Sequence, residues 1–97
     1  MLFKCECCGH YTLPEESIGN YNICPVCSWE DDIVQLLDPD FEGGANRESL
    51  NQARENYKTF EASSRMLISK VRRPLPEELY GNKTGGRFFC PAQKSDS

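Results

Sequence analysis

The sequence predicts a small α+β domain: a β-hairpin with a C-x-x-C turn at each open end, packed against one amphipathic helix and joined by irregular loops. Three observations predict it. Two C-x-x-C units, Cys5/Cys8 and Cys24/Cys27, stand fifteen residues apart. The alternating, β-favouring segments His10-Tyr11-Thr12-Leu13 and Tyr21-Asn22-Ile23 lie between them. A single stretch, Ser49 to Phe60, carries apolar residues at helical spacing.

In the hairpin reading, Pro14-Glu15-Glu16-Ser17-Ile18-Gly19-Asn20 supplies the turn between the two strands. Residues 30–48 follow as an acidic connection whose apolar patch, Val34-Gln35-Leu36-Leu37, fits one helical turn. Pro39 disfavours helix at Asp38, so that turn should end there. Ser49 with Gln52 fits a capping box, and Leu50, Ala53, Tyr57 and Phe60 then form one face, the main apolar cover for the hairpin. Met66-Leu67-Ile68 and Val71 are β-compatible, Pro74 and Pro76 end any regular element, and Glu77 to Tyr80 suits a last helical turn begun by Pro76.

The chain has 97 residues, 38% of them hydrophobic. That allows one domain with a thin core, over residues 1–80, and a flexible or loosely packed tail over 81–97 containing an isolated Cys90. A core this small calls for a cross-link or a metal. No stretch approaches the roughly 20 apolar residues of a membrane span. The start, Met1-Leu2-Phe3-Lys4-Cys5, lacks the pattern of a secretory signal. The expectation is a cytoplasmic, reducing setting, where thiols bind metal rather than pair.

Six cysteines supply the chemistry. Cys5, Cys8, Cys24 and Cys27 have the spacing of a four-thiolate site, in which each tight turn aims two sulfurs at one ion. Gly9 offers a positive-φ position after the first pair. The reading is one structural Zn²⁺ in a zinc-ribbon-like fold, with every position filled by protein and none left for a catalytic water. Cys7 reads as a small buried residue, with a reactive neighbour of the cluster as the sharper alternative, and His10 as a partly packed imidazole, with ligand or supporting donor as its alternative. A redox role for Cys24-Pro25-Val26-Cys27 would need a βαβ setting that is not visible.

Fifteen acids against eleven bases give a net charge of −4, and a zinc tetrathiolate takes this to about −6. That sign opposes nucleic-acid binding. Six acids and no base lie between Ser28 and Glu42, and four bases and no acid lie between Ser63 and Pro76. These runs read as solvated surface, as mutually facing surfaces, or as a docking face for a charged partner.

Taken together, Cys5-Glu6-Cys7-Cys8-Gly9, Thr12-Leu13-Pro14, Ile23-Cys24-Pro25-Val26-Cys27, Trp29-Glu30-Asp31-Asp32, Gly43-Gly44-Ala45-Asn46 and Ser49-Leu50 through Ala53-Arg54-Glu55-Asn56-Tyr57 resemble the bacterial cysteine-rich CPCC domain family. The resemblance covers about residues 4–76. The sequence departs from the family at Glu6, where the naming proline would stand, and by its extension from about Gly81. The resemblance implies a small bacterial zinc-binding protein and no settled activity. It also marks Trp29, Glu30, Asp31, Asp32 and Asn46 beyond the cysteines. Trp29 is expected to pack over the second cysteine turn. The acids are expected to cap a turn or to accept bonds from Arg54 or the basic run, with a carboxylate metal or acid/base site as the alternative. No catalytic set can be assembled around one histidine. The function this favours is a non-enzymatic protein-binding module, of inhibitor or immunity type; the alternatives are a nucleic-acid-binding ribbon and a small hydrolase or thiol enzyme.

Overall fold

The computed structural model describes residues 2–79. The tail beyond residue 80, with Cys90, lies outside the described residues. The chain forms two short strands, β1 (Phe3–Lys4) and β2 (Tyr11–Leu13), then helices α1 (Ile33–Leu37) and α2 (Leu50–Phe60), then two 3-10 helices at Arg65–Lys70 and Pro76–Glu78. The α+β class therefore holds, with the strand pairing changed.

β2 does not pair with Tyr21–Ile23. It pairs antiparallel with β1, Phe3 opposite Leu13 and Lys4 opposite Tyr11. The second segment pairs across the other cysteine turn, through an Ile23–Glu30 bridge and the bonds Tyr21 N to Asp31 O, 3.0 Å, and Cys24 N to Trp29 O, 3.0 Å. Each C-x-x-C turn is thus the tip of its own small hairpin. The two candidate loops, six residues and seven, barely differ in closure entropy, so what favours the observed pairing is that each cysteine turn closes itself with main-chain bonds, Gly9 N to Cys5 O and Ser28 N to Cys24 O.

The β1–β2 register slips by one residue, leaving Thr12 as the extra residue of a bulge. A bulge re-aims a side chain. Thr12 and Leu13 are accordingly both buried, which regular alternation would forbid.

α1 ends at Asp38 as the proline rule requires. Its N-cap is Asp32, whose Oδ1 accepts from Val34 N at 2.8 Å. α2 begins at the expected capping box: Gln52 N donates to Ser49 Oγ at 3.1 Å, and Ser49 N donates to Gln52 Oε1 at 3.0 Å. Leu50 and Ala53 are fully buried beside the cysteines, Val26 and Trp29, and Tyr57 packs against that cluster. Phe60, at the end of the stripe, lies instead under the Arg65 guanidinium, 5.0 Å away.

Met66-Leu67-Ile68 form a 3-10 helix rather than a strand. Ser64 caps it by accepting from Met66 N at 3.3 Å. The segment is fastened to the second cysteine turn by Ser63 N to Cys27 O, 2.8 Å, and Arg72 N to Pro25 O, 3.2 Å. Pro76 opens the final 3-10 turn as expected. Glu78 points inward and takes both nitrogens of the Arg72 fork at 2.9 Å.

Candidate metal centre

The two cysteine turns are built alike. In the first, Cys5 N donates to His10 O at 2.8 Å and Gly9 N to Cys5 O at 2.9 Å. In the second, Cys24 N donates to Trp29 O at 3.0 Å and Ser28 N to Cys24 O at 2.8 Å. Gly9 and Ser28 both take left-handed backbone, at φ 81° and 67°. The parallel between Cys8-Gly9 and Cys27-Ser28 is visible in the sequence, and it is the signal that would have marked Ser28.

These turns bring Cys5, Cys8, Cys24 and Cys27 together, with their four sulfurs all within 4.8 Å of one another. Cys5 Sγ lies 3.6 Å from Cys27 Sγ, and Cys8 Sγ 3.8 Å from Cys24 Sγ. A tetrahedron with Zn–S bonds near 2.3 Å has edges of about 3.8 Å, so the donor set fits such an ion. Cys5, Cys24 and Cys27 are wholly buried and Cys8 is half-buried.

Crowding four thiols leaves their protons unequally held. Hydrogen bonding with Cys24 pushes Cys5, Cys8 and Cys27 above the ordinary thiol range, and burial adds to the effect. The same contacts, that of Cys27 foremost, hold Cys24 well below it. Crowded in this way the four thiols compete for their protons, and a divalent cation held between them would favour the ionised form of each.

Cys24 also accepts from Thr12 Oγ1 at 2.9 Å and from Val26 N at 3.4 Å. The Thr12 contact depends on the bulge in β2, and no local spacing announces it. Arg54, expected among the acids 30–32, reaches across to the first turn instead. Its Nε donates to Glu6 O at 2.9 Å, and its Nη2 lies 3.7 Å from Glu6 Oε1. α2 is thereby clamped over Cys5–Gly9, with Glu6 supplying a charged partner at the position the proline would occupy.

Cys7 is buried in the apolar cluster, and its contact with the Cys27 thiol adds to the upward push there. His10 packs edge-on to Tyr57 at 5.8 Å, and burial lowers its pKa. Neither belongs to the four-sulfur group. Trp29 is 4% exposed and sits in the same cluster as Leu50 and Ala53.

The acidic motif is engaged with backbone. Asp31 Oδ2 accepts from the amides of Ile18, Gly19 and Asn20 at 2.8–3.1 Å, holding the 15–20 loop. Asp32 caps α1 and accepts from Ala45 N at 2.8 Å, a bond that holds its carboxyl below the usual range. Glu30 contributes its main chain, which Asn46 clamps from both sides: Asn46 Oδ1 accepts from Glu30 N at 2.8 Å, and Asn46 Nδ2 donates to Glu30 O at 2.7 Å.

Behind this clamp lies Gln35, fully buried. Its Nε2 donates to the carbonyls of Phe41, Asn46 and Glu48 at 2.9–3.1 Å, and its Oε1 accepts from Asn46 N and Nδ2. Gly44 is required here, because a Cβ on it would sit 2.7 Å from Asp32 Oδ2 and 2.9 Å from Gln35 Cδ.

Among the described residues no helix is long and apolar enough to cross a membrane. No curated protein matches the chain. The model of the family described as cysteine-rich CPCC matches residues 3–78. That span takes in both cysteine turns, the Asp31–Asp32 and Asn46 clamps and the whole of α2, and the chain belongs to the cysteine-rich CPCC family.

Proposed function

We propose that this chain is a structural-zinc protein whose assembled surface docks another protein. The observation that carries the zinc reading is the convergence of four largely buried sulfurs at tetrahedral spacing. A closed site of this kind ties distant segments together and offers no open coordination position, which supports a structural rather than a catalytic ion. Such binding contributes about 10–16 kcal/mol, on the scale of a small domain's whole stability.

The docking reading is supported by the outer face of α1 and the loop after it. Leu37 is 78% and Val34 51% exposed, and the exposed Phe41 adds to them. Asp38, Asp40 and Glu42 are likewise exposed along this stretch. An apolar patch with an acidic rim suits a basic protein partner. The basic run is less available to nucleic acid: Arg72 is paired with Glu78, Arg73 lies 3.9 Å from Glu61, and Arg65 covers Phe60.

Native mass spectrometry of the full chain, purified from its source cell under reducing conditions, tests both parts. One zinc per chain and a stoichiometric protein partner that is lost on Leu37→Glu are the expected results. Iron in place of zinc overturns the identity of the ion. A partner retained by the Leu37→Glu protein, or none recovered, overturns the docking face.

A further inference from the structure

The second cysteine turn, the loop at residues 45–48 and the segment 63–70 enclose a cleft of about 330 Å³. That volume is at the small end of the range for ligand sites. Ser63 lies in its lining and is 2% exposed. Its amide donates to Cys27 O and its carbonyl accepts from Asn56 Nδ2, but its hydroxyl has no partner among the described residues. A buried hydroxyl left unmet costs about 1–3 kcal/mol, so a ligand that meets it is favoured.

Glu30 and Lys70 line the same cleft, as do Arg47, which donates to Met66 Sδ, and Glu48, which accepts from the Ser64 hydroxyl. Asn46 occupies the Glu30 main chain, yet the Glu30 carboxylate and the Lys70 ammonium have neither an ion pair nor a hydrogen bond among the described residues. An acid and a base that share a cleft without meeting leave a gap suited to a molecule carrying both charges. A ligand of one sign would satisfy one wall and be repelled by the other. Ile23 and Met66 add apolar surface to the lining.

We propose that this cleft binds a small apolar α-amino acid. Its ammonium faces Glu30, its carboxylate faces Lys70 and the Ser63 hydroxyl, and its side chain lies against Ile23 and Met66. The site is independent of the docking face on α1 and does not depend on a protein partner.

The test is a titration of the full, metal-loaded chain with L-leucine at neutral pH, followed by amide chemical shifts. 4-Methylpentanoate and 3-methylbutylamine, which keep the side chain but only one charge each, are the controls. Saturable shifts centred on Ser28, Ser63 and Leu67 are expected, with a Kd of about 1 mM or tighter. Each control should bind at least about tenfold more weakly, and Ser63→Ala and Lys70→Gln about fivefold more weakly. Neither side chain bonds to another described residue, so both variants should fold, Lys70→Gln melting like the parent and Ser63→Ala like it or higher. Absence of saturation up to about 20 mM, shifts elsewhere on the fold, controls that match leucine, or variants that bind like the parent each overturn the proposal.

Discussion

Ser28 holds, at the second cysteine turn, the left-handed backbone position that Gly9 holds at the first, with φ of 67° and 81°. A side chain in that region costs about 1–2 kcal/mol, while glycine gives part of this back through a more mobile unfolded chain. Ser28→Gly should therefore raise stability by about 0.5–1 kcal/mol, and Gly9→Ser should lower it by a similar amount or more. Denaturant unfolding of the metal-loaded proteins measures both changes, and equal midpoints for the two variants would contradict the equivalence of the turns.

Thr12 is the only described side-chain hydroxyl bonded to a cluster sulfur. Loss of such a supporting bond typically weakens metal binding about 10–100-fold. Thr12→Val, which keeps the shape and removes the donor, should show that loss in competition with a chelator, and Thr12→Ser should recover most of it. The cobalt-substituted protein gives a second readout, since its sulfur-to-metal band should shift with Thr12→Val and return with Thr12→Ser.

Gln35 is a buried amide serving three carbonyls and Asn46. Gln35→Leu fills the space but strands those groups, at about 1–3 kcal/mol each for the ones that water cannot reach. A loss of about 3 kcal/mol or more is expected. Gln35→Glu should be worse, because it sets a buried negative charge against three carbonyl oxygens. Thermal melting decides; a Gln35→Leu protein that melts like the parent would show that the loop is held by something else.

Two carboxylates predict the acid limb of stability. Glu78 is held below its ordinary range chiefly by the Arg72 side chain, and Asp32 chiefly by the Ala45 amide. Groups whose folded pKa lies below the unfolded value, near 4, give stability that is complete above that value. It is lost as pH falls through the folded pKa. Removing either group should flatten the fall. Asp32→Asn and Glu78→Gln should each be less stable than the parent at neutral pH, and the differences should shrink below about pH 4. Comparing variant with parent at each pH cancels the separate effect of acid on the thiolates. A difference independent of pH would refute the assignment.

The four sulfur positions, the capping box and the Leu50–Ala53–Tyr57 stripe were legible because each is written in short-range spacing, which turn and helix geometry convert directly into a shared face. The strand pairing was not. β-favouring residues state that His10–Leu13 will be extended, and leave open which neighbour is reached first. Gln35 was hidden for a different reason. The patch Val34-Gln35-Leu36-Leu37 reads as apolar with one polar interruption, whereas the structure buries the interruption and exposes Val34 and Leu37. Polarity in a sequence records what a side chain can bond. It carries no record of the three carbonyls that a later loop will present.

The 41–48 loop is anchored from inside, by the Gln35 and Asn46 amides and the Asp32 carboxylate, and the exposed Phe41 side chain stands outside those bonds. Phe41 can then change in size and charge while the path of the chain stays the same, provided Gln35, Asn46 and Gly44 remain, whereas Arg47 ties the loop to Met66. A scaffold of this kind separates the residues that hold its shape from those it shows to the outside, and the second group is free to diversify against new targets.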